Sequence, residues 1–127
     1  MDMINTILLI IGAVFVLLWG ISHLFPTKSV VKDFGDISQD NKYIITMEWI
    51  IEGFTLIFIG ILVLLVTLLG GPEEAVSKLV YWICSVMLFG LAILSLLTGA
   101  KVAFIVFKLC PVIFTISGIL ILIGSFL

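Results

Sequence analysis

Four long apolar runs divide the chain, at residues 4–24, 43–69, 76–97 and 102–127. Each is long enough to cross a hydrocarbon core of about 30 Å, which takes roughly 20 helical residues. Backbone exposed to lipid must form its hydrogen bonds within its own segment, so runs of this length predict helices and not strands. The breaks between them are legible too. Gly70-Gly71-Pro72 ends the second run, and Glu73 and Glu74 put acids at the start of the third, where the helix dipole favours them. Thr98-Gly99-Ala100-Lys101 reads as a tight turn into the fourth, and Pro111 is expected to kink that helix and free the carbonyl of Phe107. Short connections imply antiparallel neighbours, so the second to fourth spans are expected to form an up-down series. The predicted fold is an all-α integral membrane four-helix bundle, one domain over residues 1–127.

The one substantial connection covers residues 25–42. Pro26 ends the first helix and Thr27 can cap a short new one, with Val30, Val31 and Phe34 on one face and Lys28, Lys32 and Asp33 on others. Such a pattern predicts about two turns lying in the headgroup region, with a plain solvated loop as the alternative. Gly35 would stop the turn, and Ser38, Asp40 or Asn41 would cap the second span. The first run has no basic leader and no small-x-small cleavage pattern after it, so it is expected to be retained as a span.

Composition sharpens the membrane assignment. Of 127 residues 63% are hydrophobic and 11% charged, with a mean hydropathy of +1.44. A soluble domain is nearer half apolar and a quarter charged. The net charge is −2 and there is no arginine, which argues against nucleic acid as a partner. Lys28, Lys32, Lys42 and Lys101 fall on the side of the first and third connections, joined by Lys108 if it snorkels that way. Lys78 lies opposite with Asp2, Glu73 and Glu74. Because basic residues stay cytoplasmic, both termini are expected outside and the 25–42 connection inside, in the cytoplasmic membrane of a bacterium or archaeon. Tyr81 and Trp82 would then join the outer aromatic belt, and Trp19, Tyr43 and Trp49 the inner one. Cys84 and Cys110 read as buried small hydrophobes, without the spacing of a zinc or redox site.

Small residues suggest which faces touch: Gly12, Gly20 and His23 on the first span, Gly53 and Gly60 on the second, Gly90 on the third, and Ser117, Gly118 and Gly124 on the fourth. Ionisable groups within a span are functional candidates by default. Here they are His23, Glu48, Glu52 and Lys108, with Trp49 beside them. At about 1.5 Å per residue Glu52 lies some 13 Å inside its span and Lys108 about 9 Å, so a Glu52–Lys108 ion pair is predicted. The same pair read as an assembly device is the structural alternative. His23 and Trp49 have equally plain readings, as an interfacial histidine and a belt anchor. An imidazole beside a carboxylate can also exchange protons with a ligand or along a transport path. One His with two Glu is a weak metal signal, and no metal or other cofactor is expected.

Gly20-Ile21-Ser22-His23-Leu24-Phe25-Pro26 closing the first span, Glu52-Gly53 early in the second, and four spans with one long first connection together resemble the DoxX-like group of small four-helix membrane proteins. Its architecture is related to the EXPERA sterol-isomerase domains. The resemblance implies the bundle more than an activity, and residues 4–24 lack the acidic groups a sterol isomerase would use. Three functions follow in order of preference. The first is a binding protein for a lipid-like or small apolar ligand, or for a partner membrane protein, through a polar pocket formed by His23, Glu48, Trp49, Glu52 and Lys108. The second is a small oligomeric transporter or channel, proton-coupled. The third is a membrane enzyme using His23 and a glutamate. Membrane lipids are expected partners throughout, and a homo-oligomer is compatible with each.

Overall fold

The computed structural model describes residues 3–127; Asp2, assigned above to the outer side, lies outside them. Five helices follow one another: α1 (Met3–Leu24), α2 (Thr27–Asp33), α3 (Gln39–Leu65), α4 (Ala75–Leu97) and α5 (Ile105–Phe126). A π-helical turn, Val66–Gly70, extends α3, and a 3-10 turn, Gly99–Lys101, precedes α5. No strand occurs among the described residues. Four stretches are long and apolar enough to span a bilayer: Met3–Leu24, Gln39–Gly70, Ala75–Lys101 and Ile105–Phe126. The chain is an integral membrane protein built as an all-α four-helix bundle, with α2 as the predicted extra helix in the first connection.

α1 sits at the centre. Its buried residues, Asn5, Leu9, Gly12, Ala13, Val16, Gly20 and His23, recur every three or four positions and mark one inward stripe. It packs closely on α3 and α5, and α5 in turn packs on α4. The close approach comes from small residues. A Cβ on Gly20 would lie 2.8 Å from Leu56 Cβ and 3.0 Å from the Gly53 carbonyl oxygen, and one on Gly60 would lie 2.9 Å from the Ala13 carbonyl oxygen. Real side chains do not fit there, so the glycines set the α1–α3 spacing. Gly12, Gly118 and Gly124 are equally crowded, as predicted. Gly90 is not: nothing lies within 4 Å of where its Cβ would be. The inward face of α4 is made instead by Ser77, Tyr81, Cys84, Ser85, Leu88 and Ala92.

The expected up-down series is realised between α4 and α5, but between α3 and α4 only near their turn. α3 and α4 are consecutive, yet they touch lightly, because α3 packs on α1, α1 on α5, and α5 on α4. Where they meet, near the turn, Ser77 Oγ donates to the Val66 carbonyl at 3.2 Å, and the Thr67 and Tyr81 hydroxyls are 2.9 Å apart. Tyr81 is fully buried there, which corrects its assignment to the outer belt. Trp82 does face outward, and donates to Ser125 Oγ at 3.1 Å.

Connections follow their local chemistry. Ser38 has extended backbone and its hydroxyl accepts from Asn41 N–H at 3.1 Å, capping α3 four residues earlier than the apolar run begins. Gly35 (φ 76°) stops α2, and Gly71 (φ 93°) turns the chain after the π-helical segment. Thr27 does not cap α2; it is the first residue of that helix, and its hydroxyl donates to the Leu24 carbonyl at 2.6 Å, capping the end of α1. α5 runs through Pro111 as one helix, but begins at Ile105, three residues later than predicted.

Candidate functional site

His23 lies on the inward stripe of α1, in its last turn. A helix leaves its final carbonyls without intrahelical partners, and here side chains supply them. Trp49 Nε1 donates to the His23 carbonyl at 2.8 Å. The same indole lies flat on the His23 ring, with centroids 3.9 Å apart at 18°, and meets Phe107 of α5 edge-on at 5.5 Å. Trp49 therefore ties the ends of three helices together.

Glu52 follows Trp49 by three positions and shares its helix face. Its Oε2 lies 3.3 Å from His23 Nε2. The alignment is not that of a hydrogen bond, so the buried Nε2 has no hydrogen-bond partner. Trp19 Nε1 is also buried and faces the Cys110 thiol. The imidazole side chain is 5% exposed and the carboxylate side chain 36%, so one is sealed in and the other reaches an opening.

That opening is a cleft of about 390 Å³ between α3 and α4, on the half of the bundle away from the termini. His23, Trp49, Glu52 and Thr55 form its polar wall, with Glu48 at the exposed mouth; Phe107 and Cys110 close it from α5. The apolar wall comes from Met87, Leu91 and Leu94 of α4, at the i, i+4, i+7 spacing of one helix face. Ser95, one turn after Leu91, also lines the cleft and is the polar marker that could have singled out that face of α4 in the sequence.

Lys108 is absent from the cleft. It is exposed, and its ammonium donates to the Ala100 carbonyl at 2.8 Å, so the predicted Glu52–Lys108 ion pair is overturned. The cause is azimuth. α5 turns Cys110, Phe114, Ser117 and Gly118 inward, and a residue two positions before Cys110 is rotated by about 200° from it. Lys108 snorkels toward the headgroups instead. Of the predicted pocket residues, His23, Glu48, Trp49 and Glu52 come together and Lys108 does not. Among the described residues no group of three or more His, Cys, Asp or Glu side chains is placed to hold a metal ion, and both cysteines are free and buried.

Compared with protein-family models, with curated proteins and with solved structures, the chain matches none.

Proposed function

We propose that this protein binds a lipid-like or other small amphipathic ligand in the α3–α4 cleft, with the ligand's polar group against His23 and Glu52 and its apolar part along α4. The convergence of His23, Trp49 and Glu52 on a cleft of about 390 Å³ with an apolar α4 wall carries the reading. That volume falls in the range of small-molecule sites, which are mostly apolar with a few placed polar groups. A carboxylate is an acceptor and an imidazole can donate or accept, so a hydroxyl or amide on the ligand would meet both. A gap between two spans also admits a ligand directly from the bilayer.

The lysine distribution supports placing the cleft mouth on the cytoplasmic side of a bacterial or archaeal inner membrane, with the termini outside. The four spans and the His23-Leu24-Phe25-Pro26 ending support kinship with DoxX-like proteins as a further proposal. Native mass spectrometry of the protein extracted in mild detergent tests the binding reading. The wild type should retain a lipid-sized adduct, and Glu52→Gln should lose it without a change in melting temperature. An adduct kept at wild-type occupancy in Glu52→Gln contradicts the proposal. Proton-coupled flux in proteoliposomes that disappears in Glu52→Gln would move the assignment to a transporter.

A further inference from the structure

A second concavity lies outside the bundle, between α2 and the first turns of α3, with a volume of about 490 Å³. Lys28, Val31 and Lys32 line it from α2, Lys42 and Thr46 from α3, and Asp36 from the loop between them. Lys28 with Lys32, and Lys42 with Thr46, are each four residues apart, so two helix faces turn their polar stripes toward one another across the groove. We propose that this groove holds the phosphodiester of an anionic membrane phospholipid.

The first support is uncommitted charge. Lys78 is paired with Glu73 at 3.4 Å, and Lys108 donates to a backbone carbonyl. Among the described residues, Lys28, Lys32 and Lys42 have neither an ion pair nor a side-chain hydrogen bond, although Asp33, Asp36 and Asp40 are close in sequence. Three like charges facing one groove, offset there only by Asp36, repel one another until an anion joins them. The threonine hydroxyls are already spent as donors, Thr27 to Leu24 and Thr46 to the Lys42 carbonyl, so the ammonium groups would bind the anion alone. Lysine does this as a point charge, which suits a phosphodiester held without fixed geometry.

The second support is position. α3 with its π-helical turn is 32 residues long, about 48 Å of helix against a hydrocarbon core of about 30 Å. Its polar first turns therefore stand at headgroup level. Phe25, Phe34 and Tyr43, close in sequence to the groove residues, are 85%, 55% and 67% exposed, as aromatic side chains at a membrane interface are. A soluble anion would gain nothing from exposed rings, whereas acyl chains can lie against them.

The probe is spin-labelled phosphatidylglycerol against spin-labelled phosphatidylcholine, with the full chain in mixed vesicles of the two lipids. The motionally restricted fraction should favour phosphatidylglycerol. Each groove lysine should contribute up to roughly fivefold, and Lys28→Gln/Lys32→Gln/Lys42→Gln should bring the two lipids to parity. Lys101→Gln, which removes an exposed lysine at the same end but outside the groove, should leave the preference unchanged. Should the triple variant misfold, Lys42→Gln alone decides, by a severalfold loss. The proposal is overturned if Lys101→Gln costs as much as Lys42→Gln, since surface charge alone then explains the preference. It is overturned equally if inorganic phosphate displaces the labelled lipid where chloride of the same ionic strength does not, because the site would then serve a soluble anion.

Discussion

At the terminal end of the bundle and at the lysine-rich end, polar side chains enter the same apolar surroundings with opposite results. Near the termini three chains of donors run out on backbone carbonyls. Tyr81 meets Thr67, whose hydroxyl donates to Val63; Trp82 donates to Ser125, whose hydroxyl donates to Leu122; Ser77 donates to Val66. These chains pin α3 to α4 and α4 to α5. At the other end Trp49 caps α1, but the buried His23 Nε2 has no aligned hydrogen-bond partner, and α3 and α4 stand apart. In lipid a satisfied polar chain closes a helix pair. An unaligned imidazole beside an open cleft leaves a polar group for a ligand to meet.

The contrast can be broken at several points. The largest effect should come from Gly60→Val, which forces a branched side chain into the α1–α3 seam serving both ends. Overpacking of this kind costs about 1–3 kcal/mol, read as a lowered midpoint in denaturant titration. Gly90→Ala, at a position with open space around it, should leave the midpoint near wild type. At the closed end, Tyr81→Phe removes one link while Thr67 keeps its bond to Val63, so a loss of about 0.6 kcal/mol is expected. Ser85→Ala should go the other way or do nothing, since that buried hydroxyl has no partner to lose. The smallest effect should be the coupling between Glu52→Gln and Lys108→Met. A double-mutant cycle on stability should give a coupling near zero, because the two side chains do not meet. A coupling of more than about 1 kcal/mol would restore the ion pair.

Much of the fold was legible because span length, glycine crowding and turn chemistry are properties of one helix or one turn. The four runs, the α2 turn, the Gly71 break and the inward stripe through Gly12, Gly20 and His23 are of this kind. The candidate site was legible in part. Trp49, Glu52, Gly53 and Leu56 follow the i, i+3, i+4, i+7 rule, so that face of α3 could be read directly. Lys108 was misplaced because depth along a helix says nothing of direction around it; the stripe from Cys110 to Ser117 held that information. The α3–α4 gap could not be foreseen from short connections. It depends on α1 taking the place between its neighbours, which only the packing of four helices decides. Tyr81 carried an ambiguity of its own, since a tyrosine near a helix start suits an interface or a buried hydroxyl pair equally well.

Photolabelling tests the unequal ends most directly. A phospholipid with a diazirine in its acyl chain, reconstituted with the protein and activated, can be mapped by peptide mass spectrometry. Crosslinks should concentrate on Met87, Leu91 and Leu94, and Leu91→Trp, which fills the gap, should abolish that concentration while outward-facing residues keep their labelling. Uniform labelling of all lipid-facing surfaces, unaltered by Leu91→Trp, would mean that α3 and α4 enclose no binding cleft.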